Sequence, residues 1–373
     1  MEKPEILIIG AGVIGCSLAR ELARLSKQVV VTERGRPGAA ASSAAAGLLL
    51  PTLHAADTGP LAELGFDSAA VYESWIGELR QEGAGDVGFC RRGLIDAWTD
   101  PDQAAQQQRG LKDVSRPGRR VEVLSGEELR RLEPGVTGPV AAAGLFVDDA
   151  QVHAPALARQ LARVAERAGV SIREQEAVHR LVLEGERITA VETSARRYHP
   201  GLVVLTAGAW SGQLLEPIGL RLPTRPVKGQ MLLADCRLAP VHHPLSAGQA
   251  VFVPRADGRL ALGVTVEETG FDDRVTVDGV RSILEHTCRL VPSVGRLPLL
   301  HAWAGLRPAT PDGLPYMGPV EPIRNLWVST GHFRKGILLA PVCARLVARS
   351  IAQGRLVDEL LPFAPSRNTA AAH

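Results

Sequence analysis

The run Glu5-Ile6-Leu7-Ile8-Ile9-Gly10-Ala11-Gly12-Val13-Ile14-Gly15-Cys16 constrains this chain more than any other stretch. Branched apolar residues read as a buried parallel strand, and three glycines follow before a helix opens. In that helix Leu18, Leu22 and Leu25 fall at helical spacing and should pack on the sheet, with Arg20, Glu21 and Arg24 on the other face. A second apolar strand, Val29 to Thr32, ends in Glu33, 23 residues after Gly10. Strand, glycine triplet, helix, second strand and terminal acid together form a dinucleotide fingerprint. Gly10 makes the tight turn, Gly12 lets backbone approach a pyrophosphate, and Gly15 lets helix and strand close up. The helix N-terminus offers free N–H groups and partial positive charge to phosphates. Glu33 is placed to accept from an adenosine ribose, and an acid there disfavours a 2′-phosphate and hence NADP.

At 373 residues the chain is long enough for about two domains. A net charge of +2, with scattered arginines, gives no basic surface for nucleic acid. Five cysteines without a Cys-x-x-Cys pair fit free thiols in a reducing cytoplasm. The N-terminal apolar run is too short to span a bilayer, and no membrane segment is expected.

Residues 35–51 carry almost no bulky side chain before Leu48, so backbone can lie against a large flat ligand. Ser42, Ser43, Ala46 and Gly47 are candidates to contact it. Residues 61–83 read as a helix with a stripe of Leu64, Ala69, Tyr72, Trp75, Ile76 and Leu79. A strand near Gly93-Leu94-Ile95, a Gln-rich helix near 102–110 and a helix start at Ser125-Gly126-Glu127-Glu128 follow. The chain then returns to βα alternation. A helix is expected with Leu157, Leu161, Val164 and Ala165 inward, closed by Gly169, with strand at Val170 to Ile172 and Val178 to Leu183. The strand Leu202 to Thr206 runs into Ala207 and Gly208, the kind of turn at which a doubly wound sheet binds a ligand.

Residues 220–300 again leave the alternation, with strands at Gln230 to Leu233, Ala250 to Val253 and Leu260 to Val264. Trp303 to Gly313 reads as a turn-rich loop, Leu326 to Ser329 as a strand, and Gly331 to Gly336 as the loop before a helix starting near Ile337. The expected fold class is α/β (α+β overall): a Rossmann-like cofactor domain from residues 1–84, 146–218 and 302–363, with a discontinuous antiparallel-sheet substrate domain from 85–145 and 219–301. Residues 364–373 are expected to fray.

Several chemistries are disfavoured. His242-His243 lacks a third ligand at zinc spacing, so no metal is expected. Ser211 is one position late for a Gly-x-Ser-x-Gly elbow. Lys228 orients a loop beside Gly229 or is a surface lysine.

Taken together, Gly10 to Gly15, Ser43 to Leu48, Val204 to Ser211, Pro226-Val227-Lys228-Gly229, Trp303 to Thr310 with Asp312-Gly313, and Gly331 to Pro341 resemble the FAD-dependent D-amino-acid oxidase family, nearest its glycine oxidase branch. The resemblance spans nearly the whole chain. It implies non-covalent FAD held by Val13, Ile14, Glu33, Arg34, Ser42, Ala46, Gly47, Leu48, Val178 and the loop His332, Phe333, Arg334, Lys335, Gly336, Ile337 and Leu338. Arg307 matches the arginine that holds the substrate carboxylate, for which a planar guanidinium suits a two-bond grip. Arg334 reaches the substrate, the flavin edge or a surface salt bridge. Val251 stands where relatives often carry a tyrosine, leaving the pocket larger or drier. Hydride transfer needs no protein base, and no catalytic residue is assigned.

The resemblance implies oxidation of glycine, sarcosine or small D-amino acids to an imine and 2-oxo acid, with O2 reduced to H2O2 and a link to thiamine (thiazole) biosynthesis. A cytoplasmic homo-oligomer, dimer or tetramer, is implied. Alternatives are a dehydrogenase passing electrons to a quinone or carrier, and a flavin-binding tRNA-modification module, disfavoured by the near-neutral charge.

Overall fold

The computed structural model describes residues 2–51, 59–114, 119–237 and 241–368. Its first sheet has six strands in the order Tyr316–Pro319, Leu326–Thr330, Leu202–Leu205, Ile6–Ile9, Val29–Thr32 and Ser171–Arg173, parallel except for the Tyr316–Pro319 edge. Ile6 lies between Val29 and Leu202, and Ile9 between Thr32 and Leu205. Both faces of this sheet are covered, which is why its central strands are continuous apolar runs. Ile6, Ile8, Val29 and Val31 point into a core built with the helices Val13–Arg24, Ala154–Arg167 and Gly336–Gln353. Leu7, Ile9, Val30, Val203 and Leu205 point the other way, toward Leu181, Ile188, Val191 and Tyr198. Those residues belong to a three-stranded antiparallel sheet of Val178–Glu184, Arg187–Thr193 and Arg197–Tyr198. Val178 to Leu183 thus roofs the parallel sheet and does not extend it.

The fingerprint glycines do what their positions require. Gly10 has φ +109°, and a methyl group there would stand 2.7 Å from the Thr206 carbonyl oxygen. One on Gly15 would stand 2.0 Å from the Gly10 oxygen. Arg20 departs from expectation, being fully buried. It reaches Glu82 through Nε and Nη2, both at 2.6 Å, Glu21 at 2.7 Å and Glu78 at 3.0 Å. Three carboxylates supply the solvation that burial removes. Leu25, the helix C-cap, is instead 47% exposed, since the amphipathic stripe ends with the helix at Arg24.

The second large sheet has eight strands: Leu299–Ala309, Arg225–Asp235, Arg259–Gly263, Ala250–Pro254, Leu245–Ala247, Leu94–Trp98, Ala142–Phe146 and Val121–Ser125. All neighbours are antiparallel save Leu245–Ala247 against Leu94–Trp98. Strands from both sides of the parallel sheet's sequence are thereby interleaved. The stretch read as a loop from Trp303 is instead the second half of an eleven-residue strand, Leu299–Ala309. Its glycine and proline are tolerated because the strand is at the sheet's edge, pairing on one side only. The boundary expected between residues 301 and 302 falls inside this strand.

Capping at Ser125 is as expected: its hydroxyl accepts from Glu128 N while the Glu128 carboxylate accepts from Ser125 N. Helix Pro60–Gln81 buries Tyr72, Trp75, Ile76 and Leu79, and its Tyr72 hydroxyl donates to the Ile337 carbonyl at 3.0 Å. Helix Gly336–Gln353 is long and apolar enough to cross a membrane. Its residues from Ile337 to Pro341, with Cys343, Ala344, Val347 and Ala348, are buried in the core, which accounts for that composition. At the C-terminus, Pro365–Asn368 forms a short 3-10 helix and not a frayed tail, since Arg367 holds Asp312 at 2.8 Å and lies 4.1 Å from the Tyr316 ring centre. Residues 369–373 lie outside the described residues.

Candidate active site

A cavity of about 340 Å³ opens at the carboxyl ends of the parallel strands. Ile9 and Gly10, Thr32 and Glu33, Thr206 and Ala207, and Ser329 and Thr330 are the strand ends that line it. This is where a parallel α/β sheet presents its ligand crevice. Of the sequence-derived candidates, Gly10, Gly12, Val13, Ile14, Glu33, Arg34, Ser42, Val178, Ala207, Gly208, His332, Phe333, Arg334, Gly336 and Ile337 line it. Sequence reasoning did not single out Glu176, Ala177, Trp210, Gln213, Leu306 or Pro308, which also line it. The run Gly38 to Ala41 does so through the small-residue segment.

Glu33 accepts from Ala11 N and Gly35 N, both at 2.9 Å, and Ser42 Oγ accepts from Val13 N at 2.9 Å. Arg34 stacks on Trp210, its guanidinium carbon 3.6 Å from the ring centre, a cation–π contact at the same end of the cavity.

The other candidates stand behind these surfaces. Gly15 is consumed in helix–strand contact and Leu338 is 1% exposed in the core. Gly47 packs on Val152, whose oxygen would be 2.0 Å from a methyl group there, and Lys335 Nζ donates to the Pro51 carbonyl. Ser43 sits in the turn Ala41–Ala44, its N–H bonded to Gly38 O at 2.9 Å. Val251, Ala46, Leu48 and Trp303 pack around one small apolar cluster of Met231, Val253 and Ala261.

Two donors from the eight-stranded sheet fasten the small-residue segment. Arg255 Nη2 donates to the Ala46 carbonyl at 2.8 Å and Nη1 to the Val152 carbonyl at 2.9 Å, and Trp303 Nε1 donates to the Ala44 carbonyl at 3.1 Å. Burial pushes the Arg255 guanidinium down to about 10. Neither contact is legible from the sequence, because each ends on a backbone oxygen that any residue supplies.

Arg307 stands on strand Leu299–Ala309 opposite Val227, between Leu306 and Pro308, which line the cavity. Its Nη1 donates to the carbonyls of Lys228 at 3.1 Å and Thr265 at 3.3 Å, and Nη2 to Thr265 at 3.3 Å. Burial, then the like charge of Arg334, push it down to about 10, with Glu267 acting in the opposite sense. Among the described residues no carboxylate forms an ion pair with it. Arg334 is exposed, and its loop is tied to the Arg307 strand by Phe333 N donating to Pro308 O at 2.9 Å. Lys228 is not a surface lysine: it is 1% exposed, with Nζ 3.0 Å from Glu267. No group of three His, Cys, Asp or Glu able to hold a metal occurs among the described residues. His243 is instead bound to the buried Glu133 at 2.5 Å.

The side chains around the cavity suit a dinucleotide. His332 is 5% exposed, lines the cavity, and its Nε2 is buried without a partner. Such an orphaned atom calls for a hydrogen-bonding ligand. Together with the glycine turn at a helix N-terminus, the acid at Glu33 and the apolar walls, it fits FAD.

A nucleotide cradle at the strand ends of a parallel sheet, flanked by an antiparallel sheet that carries a guanidinium without an ion-pair partner among the described residues, defines a dinucleotide-dependent oxidoreductase. Residues 5–350 match the family described as FAD dependent oxidoreductase (DAO), and the chain belongs to that family. It is 34% identical to a glycine oxidase from Pseudomonas aeruginosa, covering 97% of this chain and 98% of that protein. The crystal structure of glycine oxidase from Geobacillus kaustophilus superposes with a TM-score of 0.93 at 32% identity, covering 98% and 99% of the two chains. An iminodiacetate oxidase from Chelativorans sp. superposes with a TM-score of 0.87 at 29% identity, covering 96% and 98%. FAD is the family's cofactor.

Proposed function

We propose that the protein oxidises a small amino acid, glycine, sarcosine or a small D-amino acid, at its α-carbon. The imine hydrolyses to a 2-oxo acid, and the electrons pass to O2, giving H2O2. The observation that carries this reading is Arg307, a half-buried guanidinium aimed by two carbonyls and left without an acidic partner among the described residues. A charge withdrawn part-way from water without a counter-charge is costly, and a substrate carboxylate is the group that relieves it.

Bound FAD supplies the two-electron acceptor for the hydride leaving the substrate α-carbon. Arg307 holds the carboxylate and so fixes which face of the α-carbon is presented. Arg334 adds positive charge at the exposed rim. Val251 packs with Met231 and Trp303 in an apolar cluster behind the cavity surface. His332, pushed down to about 4 by burial, is neutral at pH 7 and presents an uncharged hydrogen-bonding edge to the cofactor. Gly10 to Ile14, Glu33, Arg34, Ser42 and Val178 hold the remainder of FAD, non-covalently, within a cofactor unit of residues 1–84, 146–218 and 302–363.

The named relatives support the choice of small amino acids, and a bifunctional protein ThiO/ThiG from Synechocystis sp., 32% identical over 97% of this chain, supports a place in thiamine biosynthesis. Cytoplasmic residence agrees with five free cysteines. A homo-oligomer agrees with the edge strand Leu299–Ala309, which begins with the exposed Leu299 and Leu300. A peroxide assay of the purified protein across glycine, sarcosine and D-amino acids tests this reading, and absence of peroxide with all of them contradicts it.

A further inference from the structure

Beside Arg307 lies a polar cluster that the reaction just described does not use, with Lys228, Gln230 and Thr265 buried and Glu267 25% exposed. Glu267 Oε2 is 3.0 Å from Nζ of Lys228, and Glu267 Oε1 accepts from Gln230 Nε2 at 2.7 Å and from the Thr265 hydroxyl at 2.5 Å. The Thr265 hydroxyl also accepts from Gln230 N at 2.8 Å, which fixes that residue from two sides. Gln230 is held in turn by Thr276, whose N–H donates to Gln230 Oε1 at 2.9 Å. Lys228 and Glu267 exchange backbone hydrogen bonds at 2.9 and 3.0 Å. The two carbonyls set by this cluster, those of Thr265 and Lys228, are the acceptors of the Arg307 guanidinium.

We propose that Glu267 is a positioning residue for the carboxylate site, aiming Arg307 through Thr265 and Lys228 without neutralising it. A guanidinium has five donors. Two carbonyls hold one side of it, and the remaining donors stay available to a substrate carboxylate. An acid this near would ordinarily compete with that substrate for Arg307. Here its oxygens are already taken by the Lys228 ammonium and by Gln230 and Thr265, so the arginine keeps its charge. The inference rests on the reading that Arg307 binds the substrate carboxylate.

The test uses the FAD-loaded enzyme and acetate, a carboxylate without an amine, titrated by its perturbation of flavin absorbance, together with steady-state kinetics on glycine. In E267Q the amide no longer balances Lys228 and presents donors where Thr265 and Gln230 also donate. T265V keeps both charges and removes only the hydroxyl, and T265S restores it. Acetate Kd and glycine KM should rise about tenfold in E267Q and T265V, the loss expected for one misaligned charged hydrogen bond, with kcat changed by no more than about twofold. T265S should return both to the wild-type values. Acetate Kd within about twofold of wild type in T265V overturns the inference, as does a fall in kcat with KM unchanged. If E267Q does not fold, the T265V and T265S pair decides alone. If the wild-type enzyme neither binds acetate nor oxidises glycine, the carboxylate site itself is contradicted, and this inference with it.

Discussion

Arg307 lies across Gly229, on the neighbouring strand, so closely that a methyl group on that glycine would stand 2.0 Å from Nη2 and 2.3 Å from the guanidinium carbon. The glycine there serves space and not backbone conformation, since it is not among the residues with positive φ. Replacing Gly229 by alanine should therefore move the arginine head and leave the strand pairing intact. Gly229→Ala should lower kcat/KM on glycine at least about tenfold while FAD content stays that of the wild type. Steady-state kinetics with a flavin absorbance measurement checks both halves.

Removing the arginine should cost more than displacing it. A charged hydrogen bond contributes about 1.5–3 kcal/mol, so Arg307→Ala should lower kcat/KM by about ten- to 150-fold. Near-normal kcat/KM on every amino acid oxidised by the wild type would show that the carboxylate is held elsewhere.

Arg255 should affect the cofactor before the substrate, because it holds the Ala46 and Val152 carbonyls and no acid. Arg255→Met keeps most of the apolar stem and loses both bonds. FAD dissociation, followed by fluorescence of released flavin, should show Kd raised about tenfold or more.

His332 predicts a pH dependence of stability. Burial depresses its pKa from 6.5 to about 4, so between these values the unfolded chain binds more protons than the folded one. The stability present above pH 6.5 is therefore lost as pH falls toward 4, by about 3 kcal/mol over the whole window. Urea denaturation from pH 7 to 5 should show wild type losing more stability than His332→Gln, and parallel curves would contradict the assignment.

Arg20 is a stability residue remote from the chemistry. Arg20→Ala leaves Glu82 without its cation, while Glu21 keeps Arg24 and Glu78 keeps Arg24 and Arg345, and should cost about 1.5–3 kcal/mol in unfolding free energy. In a folded sample kcat should be unchanged.

Most of the cradle was legible because its residues are dictated by backbone geometry. Gly10, Gly15 and Glu33 sit at fixed offsets from strands that apolar runs announce. What the sequence hid is of two kinds. The charged interior at Arg20 and Lys228 looked like surface, because an arginine or lysine carries no local mark of the distant carboxylates that receive it. The strand at Trp303 to Ala309 looked like a loop, because its Gly and Pro weaken a strand signal that long-range pairing with Arg225–Asp235 restores. Motif resemblance points to Arg307, and its bonds to the Thr265 and Lys228 carbonyls are visible only in the fold.

On the proposed function, FAD in this cradle takes electrons from a small amino acid held by Arg307. Anaerobic mixing of the purified FAD-loaded protein with glycine, sarcosine or D-alanine tests it most directly, read as loss of the flavin's visible absorbance. Bleaching by at least one of them is expected, slowed at least about tenfold in Arg307→Ala, with return of the colour on admitting air. A protein that takes up no FAD, or one whose colour survives all three amino acids, contradicts it.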